Sequence, residues 1–260
     1  DWINIFNNKI PAYDTIPHIV NITGLHMIIY FLNRSKDVLK QSNKTQFILE
    51  ILAPKKTIIR DLASDSYINN NNLSRQALER YIRSIKETEE WENLQGFPDP
   101  FFEAQKLLNR HFLWPSNSDD LLSENIDSLV EELVDKAIAR HKQHVNNFHR
   151  VWGREIGFSS SRNSQRIRYA PTDSLLKTLV LANVPERMEF QDFLKKLFEK
   201  YGFIIGDKEA TEVINSGQAD QEAFSDNSQR LEQRLSSMGL LRRLSDACAY
   251  VENPFAKDGV

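Results

Sequence analysis

Scarcity is the first property of this chain. It holds a single cysteine, Cys248, in 260 residues, which excludes an internal disulfide framework and any multi-cysteine metal site. A reducing cytoplasm is the simplest setting for such a chain. Glycine is also sparse, at nine residues, and no glycine-rich run is followed by lysine and serine or threonine. A phosphate-binding loop of that type is therefore absent, as is a GxSxG nucleophile elbow. The most apolar run, "IIYFL" at 28–32, is far shorter than a bilayer span, so no membrane partner is expected. Net charge is only −3, so no global basicity advertises nucleic acid and charge has to be read segment by segment. The chain starts at Asp1 without a methionine or a signal-peptide pattern; the expectation is that residues upstream of Asp1 are missing.

What remains is ordinary globular material. Hydrophobic residues make up 40% and charged residues 27%, enough for one large domain or two modest ones with a real core. Aromatics between prolines over 1–18 suggest a packing arm. "PHIVNITGLHMIIYFLNRSKDVL" reads as helix, with Gly24 a soft spot. "TQFILEILA" is a short apolar run that periodicity alone leaves open between strand and buried helix. The asparagines Asn69–Asn72 suggest a turn, after which Ser74 caps a helix carrying Ala77, Leu78, Tyr81, Ile82 and Ile85. Prolines bound a helix from about Pro100 to Phe112, and Leu122, Ile126, Leu129, Val130, Leu133, Ala137 and Ile138 keep helical spacing. Thr172 or Asp173 caps "SLLKTLVLAN", and "FQDFLKKLFEKYG" carries an apolar stripe to the stop at Gly202.

Charge changes sign in the middle. Twelve acids between Glu89 and Asp135 face only Lys106 and Arg110, whereas Arg140, Lys142, Arg150, Arg154, Arg162, Arg166 and Arg168 face a single Glu155. Such a succession creates a strong local field. Forked guanidinium donors beside serine hydroxyls suit phosphate oxygens, so Arg154, Arg162, Arg166, Arg168 and Tyr169 are candidate nucleic-acid contacts. The competing reading pairs these arginines with acids of a neighbouring helix or of a partner subunit.

From Asp207 onward the order is a short helix, "DKEATEVINSG", a longer one, "ADQEAFSDNSQRLEQRLSSMG", and two short apolar runs, "LLRRL" and "CAYV", that pair as a hairpin. This order over about 172–255 resembles a winged helix-turn-helix domain. The resemblance implies recognition-helix contacts at Asn227, Gln229, Arg230, Gln233 and Arg234, and wing contacts at Arg242, Arg243 and Ser245. Asp220, Glu222, Asp226 and Glu232 repel phosphate on the same helix, and the winged helix also serves as a protein-docking module. "GREIGFSSSRNSQRIRYAPTDSLLKTLVLANV" with "FLKKLFEKYGFIIG" resembles helical proteins of prokaryotic anti-phage defence islands. That resemblance implies a role beside an ATPase or nuclease acting on DNA.

The expectation is a mainly α, cytoplasmic protein. A helical domain spans 1–152, a basic Ser/Arg-rich loop or linker spans 153–171, and a winged-helix-like domain with a small β-hairpin spans 172–260. It acts as a non-catalytic subunit that binds DNA or bridges partner proteins, with no cofactor, catalytic residue or metal ligand assigned. His141 and His144 are three apart, not the four of the helix-borne zinc motif, and that motif's glutamate is missing. The alternatives are a metal-dependent nuclease using Asp61, Asp65 and Lys55, or a pure assembly subunit without nucleic acid.

Overall fold

The computed structural model describes residues 1–53, 55–114, 125–161, 166–245 and 248–256. In chain order the elements are α1 (Trp2–Phe6), α2 (Ala12–Val38), β1 (Phe47–Ile48), α3 (Ile58–Arg83), α4 (Glu89–Glu92), α5 (Pro100–Phe112), α6 (Ile126–Gln143) and α7 (Val145–Glu155). They continue with β2 (Ser159–Ser160), β3 (Arg168–Tyr169), α8 (Asp173–Asn183), β4 (Arg187–Glu189), α9 (Phe190–Tyr201), β5 (Phe203–Ile204), α10 (Thr211–Asn215), α11 (Gln221–Ser237), β6 (Leu241–Ser245) and β7 (Cys248–Glu252). The protein is mainly α with small sheets. Two compact units form, and neither is continuous in sequence: one takes 1–33, 44–70 and 148–260, the other 34–43 and 71–147. The sequence alone drew consecutive boundaries at 152 and 171.

The first unit is organised around the short run 47–51. β1 pairs in parallel with β5, Phe47 opposite Phe203 and Ile48 opposite Ile204. The ladder continues through Leu49 N–H to the Ile204 carbonyl, at 3.0 Å, and through Glu50 N–H to the Tyr169 carbonyl, at 2.9 Å. Phe47 is fully buried and meets the rings of Phe158, Tyr169 and Phe203 edge-on at 5.2, 5.1 and 5.9 Å. Edge-to-face pairs of this kind each add about 1 kcal/mol beyond the area they bury. The close approach at this sheet requires Gly202: its φ is +75°, and a Cβ there would stand 2.2 Å from the Thr45 carbonyl oxygen.

A side chain supplies the missing strand. Asn227 of α11 is completely buried; its amide donates to the carbonyls of Leu49 at 2.9 Å and Ile205 at 3.0 Å, and its oxygen accepts from Ile51 N–H at 2.9 Å. α8 lies deep because α1 and α2 cover it, with Asn4 donating to the Ala182 carbonyl, Asn8 to the Leu181 carbonyl, and His18 bonded to Thr178 at 2.7 Å. Thr172 caps α8, and Gly202 in the left-handed conformation ends α9, both where the sequence puts them. β6 and β7 form the expected hairpin, and β4 joins β7 to give the order β4-β7-β6.

The second unit packs Ile82, Ile85, Leu94, Ala104, Leu108, Leu129, Val130 and Val134 into a core of its own. Asp99 caps α5 by accepting from Phe102 N–H at 3.0 Å, with Pro100 in the first helical turn.

Two expectations need correction. The asparagine run makes no turn, because α3 is continuous from Ile58 to Arg83. Asn70 is buried within it and donates to the Gln46 carbonyl, so tertiary hydrogen bonds override a weak local preference. Ser74 is therefore no cap but a buried partner of His141, at 2.9 Å. The second concerns α2, which is long and apolar enough, by length and composition, to cross a membrane, although 44% of its most apolar window is buried in the protein. "IIYFL" is only the densest part of a 27-residue apolar helix.

Asn227→Ala leaves three buried backbone groups without partners and is expected to cost at least about 3 kcal/mol. Gln229→Ala, on the exposed side of the same helix, should stay within about 0.5 kcal/mol. Urea denaturation of both variants checks the contrast.

Candidate nucleic-acid interface

The basic stretch that the sequence nominates for phosphate is pulled apart by folding. Glu50, the lone acid of "FILEILA", has no exposed surface. One carboxylate oxygen accepts from Arg60 Nε at 2.8 Å, and the other is in a very short contact with Arg168 Nε. Arg168 is itself buried, and its Nη1 has no hydrogen-bond partner. Two guanidinium groups thus share one carboxylate. A charge buried this deeply is stable only when paired.

Tyr169 follows directly and is also fully buried. Its hydroxyl is 3.0 Å from His149 Nε2 and accepts from Asn70 at 3.2 Å, while Tyr67 stacks on the His149 ring with centroids 4.8 Å apart. Burial pulls the His149 imidazole down to about 4 and raises the Tyr67 phenol to about 12. Burial also pushes the Tyr169 phenol well above its usual value. The cluster is therefore neutral at pH 7 and structural. Arg168 and Tyr169, expected as phosphate contacts, are core residues: β3 is covered on both faces, so both side chains lie inside the first unit.

The other nominated residues lie elsewhere. Arg162 lies outside the described residues, and Arg166 is exposed. Arg154 pairs with Glu155 at 3.2 Å on the surface, and Arg230 with Asp226 at 3.3 Å. Arg234 is held more firmly, by Asp173 at 2.5 Å and by the Pro171 carbonyl at 3.1 Å. In the hairpin, Arg243 pairs with Glu232 at 3.1 Å. Arg242 is exposed and has no ion-pair partner among the described residues. Ser245 is exposed at the end of β6. The outward side of α11 presents Glu222, Asp226, Gln229 and Gln233. Counting Glu222, Asp226 and Glu232 against Arg230 and Arg234, that helix carries a net charge of −1. The expected recognition residue Asn227 is the buried clamp described above.

Among the described residues, Glu90, Glu103, Asp127, Glu131 and Glu132 of the central acidic run pair with cations inside the second unit. Arg83 bonds Glu131 at 2.8 Å, Lys86 bonds Asp127 at 2.8 Å, and Arg110 bonds Glu90 at 2.6 Å. The Arg83 hydrogen bond holds the Glu131 carboxyl below its usual range. A groove of about 410 Å³ in this unit, lined by Glu90, Leu94, Phe97, Glu103, Lys106 and Arg110, has its charges already paired.

Among the described residues no group of three His, Cys, Asp or Glu side chains is placed to hold a metal ion. Asp61 pairs with Lys56 at 2.9 Å, and Asp65 lies one turn further along α3. Cys248 is half-buried at the start of β7 beside a small pocket of about 110 Å³, not within an apolar core. Sequence reasoning missed Glu50, Arg60 and Asn70 as the polar skeleton of the first unit; the one signal was an acid standing alone in an apolar run.

Glu50→Ala leaves two guanidinium groups without their carboxylate and is expected to destabilise the protein by about 3–5 kcal/mol. In a double-mutant cycle with Arg168→Met, the second substitution should cost much less in the Glu50→Ala background than in the wild type. Stability also depends on pH through His149. The unfolded imidazole takes its proton near the ordinary 6.5, whereas the folded one waits until about 4. The unfolded state thus binds more protons between these values, so stability is full above pH 6.5 and falls by roughly 3 kcal/mol as pH drops to 4. Denaturation midpoints across this range should show the fall, and His149→Gln should remove most of it.

A family model described as methylation-associated defense system protein MAD7 matches residues 114–252, just over half of the 260 residues. No curated protein and no solved structure matches the chain. The matched span takes in the end of the second unit, the buried Arg168–Tyr169–His149 cluster and the whole run from α8 to β7. The family match agrees with the likeness to defence-island proteins, and the chain belongs to the MAD7 family of methylation-associated defence system proteins.

Proposed function

We propose that this chain is a non-catalytic bridging subunit of a methylation-associated defence system, and that its C-terminal module docks a partner protein. The module runs α8, β4, α9, β5, α10, α11 and then the β6–β7 hairpin, with β4 adding to β7 and β5 pairing with β1 outside the module. This order and sheet support the winged-helix-like reading. The observation that carries protein docking over DNA reading is the outward side of α11. It offers glutamine amides and carboxylates, while its arginines lean onto Asp226 and Asp173. Amides and balanced charge suit a protein surface, whereas a duplex presents one phosphate charge per about 1.7 Å and selects for unopposed cations.

Exposed Arg242 on the hairpin favours a second reading, in which the wing touches one or two phosphates while the helix docks protein. The two readings differ in salt dependence. Docking alone predicts no measurable duplex binding, and wing contact predicts a slope of log affinity against log salt between about −1 and −2. A clamp of four phosphates would give about −3.6, and that slope would overturn both.

The protein-docking claim is tested by co-purifying the defence-system subunits from the native host after nuclease treatment. The complex should survive the nuclease and weaken at least about tenfold, roughly 1.4 kcal/mol, in a Gln229→Ala, Gln233→Ala variant. Loss of the complex on nuclease treatment, or indifference to these substitutions, contradicts the proposal.

A further inference from the structure

The outer side of α2 is built like one half of an interface. Its inner side buries Ile22, Leu25, Ile28 and Leu32. Its outer side leaves Tyr13 74%, Ile16 62%, Val20 56%, Met27 44% and Tyr30 68% exposed. With half-buried Thr23 included, the spacing is three, four, three, four, three. That is the seam repeat of a helix that packs along another helix, and a helix apolar on all sides is normally covered on all sides. Beside it α1 exposes Trp2, Ile3 and Phe6, held against α2 by the bond of Asp1 to His26. These eight side chains present on the order of 900 Å² of mostly apolar surface. The largest patch on an ordinary monomer is about 300–600 Å², and one side of a standard protein interface is about 800 Å².

We infer that this seam pairs with the same seam of a second copy of the chain, as a two-fold antiparallel helix pair. Between Ile10 and Asn33 the only Asp, Glu, Lys or Arg is Asp14, so two copies meet without like-charge repulsion along the stripe. An antiparallel alignment about one midpoint, between Asn21 and Ile22, sets Tyr13 against Tyr30 of the partner subunit, Ile16 against Met27 of the partner subunit and Val20 against Thr23 of the partner subunit. Every seam position is then used once, as an isologous interface requires. A lipid surface fits less well. Interfacial helices flank their apolar side with lysine and arginine along its length, whereas the basic residues of α2 are confined to Arg34 and Lys36 near its C-terminal end, beyond the stripe. This inference stands independently of the protein-docking role of α11.

Sedimentation velocity over a concentration series, with the full chain, tests it. The expected species has twice the 30.2 kDa chain mass. Ile16→Lys with Val20→Lys should raise the dimer dissociation constant by at least about a hundredfold while leaving the circular dichroism unchanged, since both side chains are exposed, and its thermal midpoint should match that of the wild type diluted below the dimer dissociation constant. In a Cys248→Ser background, Tyr13→Cys with Tyr30→Cys should form a disulfide-linked dimer, and Tyr13→Cys alone should not. A monomer at every concentration overturns the inference. So does a dimer indifferent to the lysines, or a monomer that floats with phosphatidylcholine–phosphatidylglycerol vesicles.

Discussion

The carboxylate of Glu50 is the constraint from which the first unit is built. Stripped of water, it has to be met by cations, and the two that meet it come from separate parts of the chain: Arg60 on α3 and Arg168 on β3. The backbone beside it is bound just as tightly, through Tyr169 and through the Asn227 amide. Three separate segments, on α3, β3 and α11, are therefore fixed to one run of five residues. Residues on either side of the run carry rings or aliphatic groups, so the polar bonds set register while the aromatic cluster supplies most of the burial energy.

The same constraint decides what Arg168, in the basic middle of the sequence, can do. A guanidinium held inside by a buried carboxylate is withdrawn from any external polyanion, because pulling it out would strand Glu50. Exposed pairs such as Arg154 with Glu155 are individually weak, but they lower the local positive field in the same direction. What is left on the surface of the C-terminal module is mixed in sign and rich in amides, a composition suited to another protein. Membership of a defence-system family is consistent with a chain that works beside partner proteins.

Much of the architecture was legible in the sequence. The start of α5 at Pro100, the cap at Thr172, the stop at Gly202 and the hairpin of β6 and β7 depend on local chemistry, and local chemistry is what a sequence displays. The failures are equally physical. Asn69–Asn72 looked like a turn because asparagine favours turns by a few tenths of a kcal/mol, which long-range bonds to Gln46 and Tyr169 outweigh. Arg168 looked like a surface cation because its counter-ion lies 118 residues away, a separation that no window of sequence spans. Asn227 matched a base-reading position by its place on the helix, yet the backbone groups it serves are in other segments. The exposed seam of α2 was overlooked because its inner and outer residues alternate into one nearly continuous apolar string.

The most direct measurement is the solvent exchange of the Arg168 Nε–H, followed by nitrogen-15 NMR in the presence and absence of duplex DNA. A proton locked onto a buried carboxylate should exchange far more slowly than that of exposed Arg242, and its resonance should not move when DNA is added. Rapid exchange, or a shift of that resonance on titration with duplex, would show the guanidinium to be free to reach phosphate and would contradict the account.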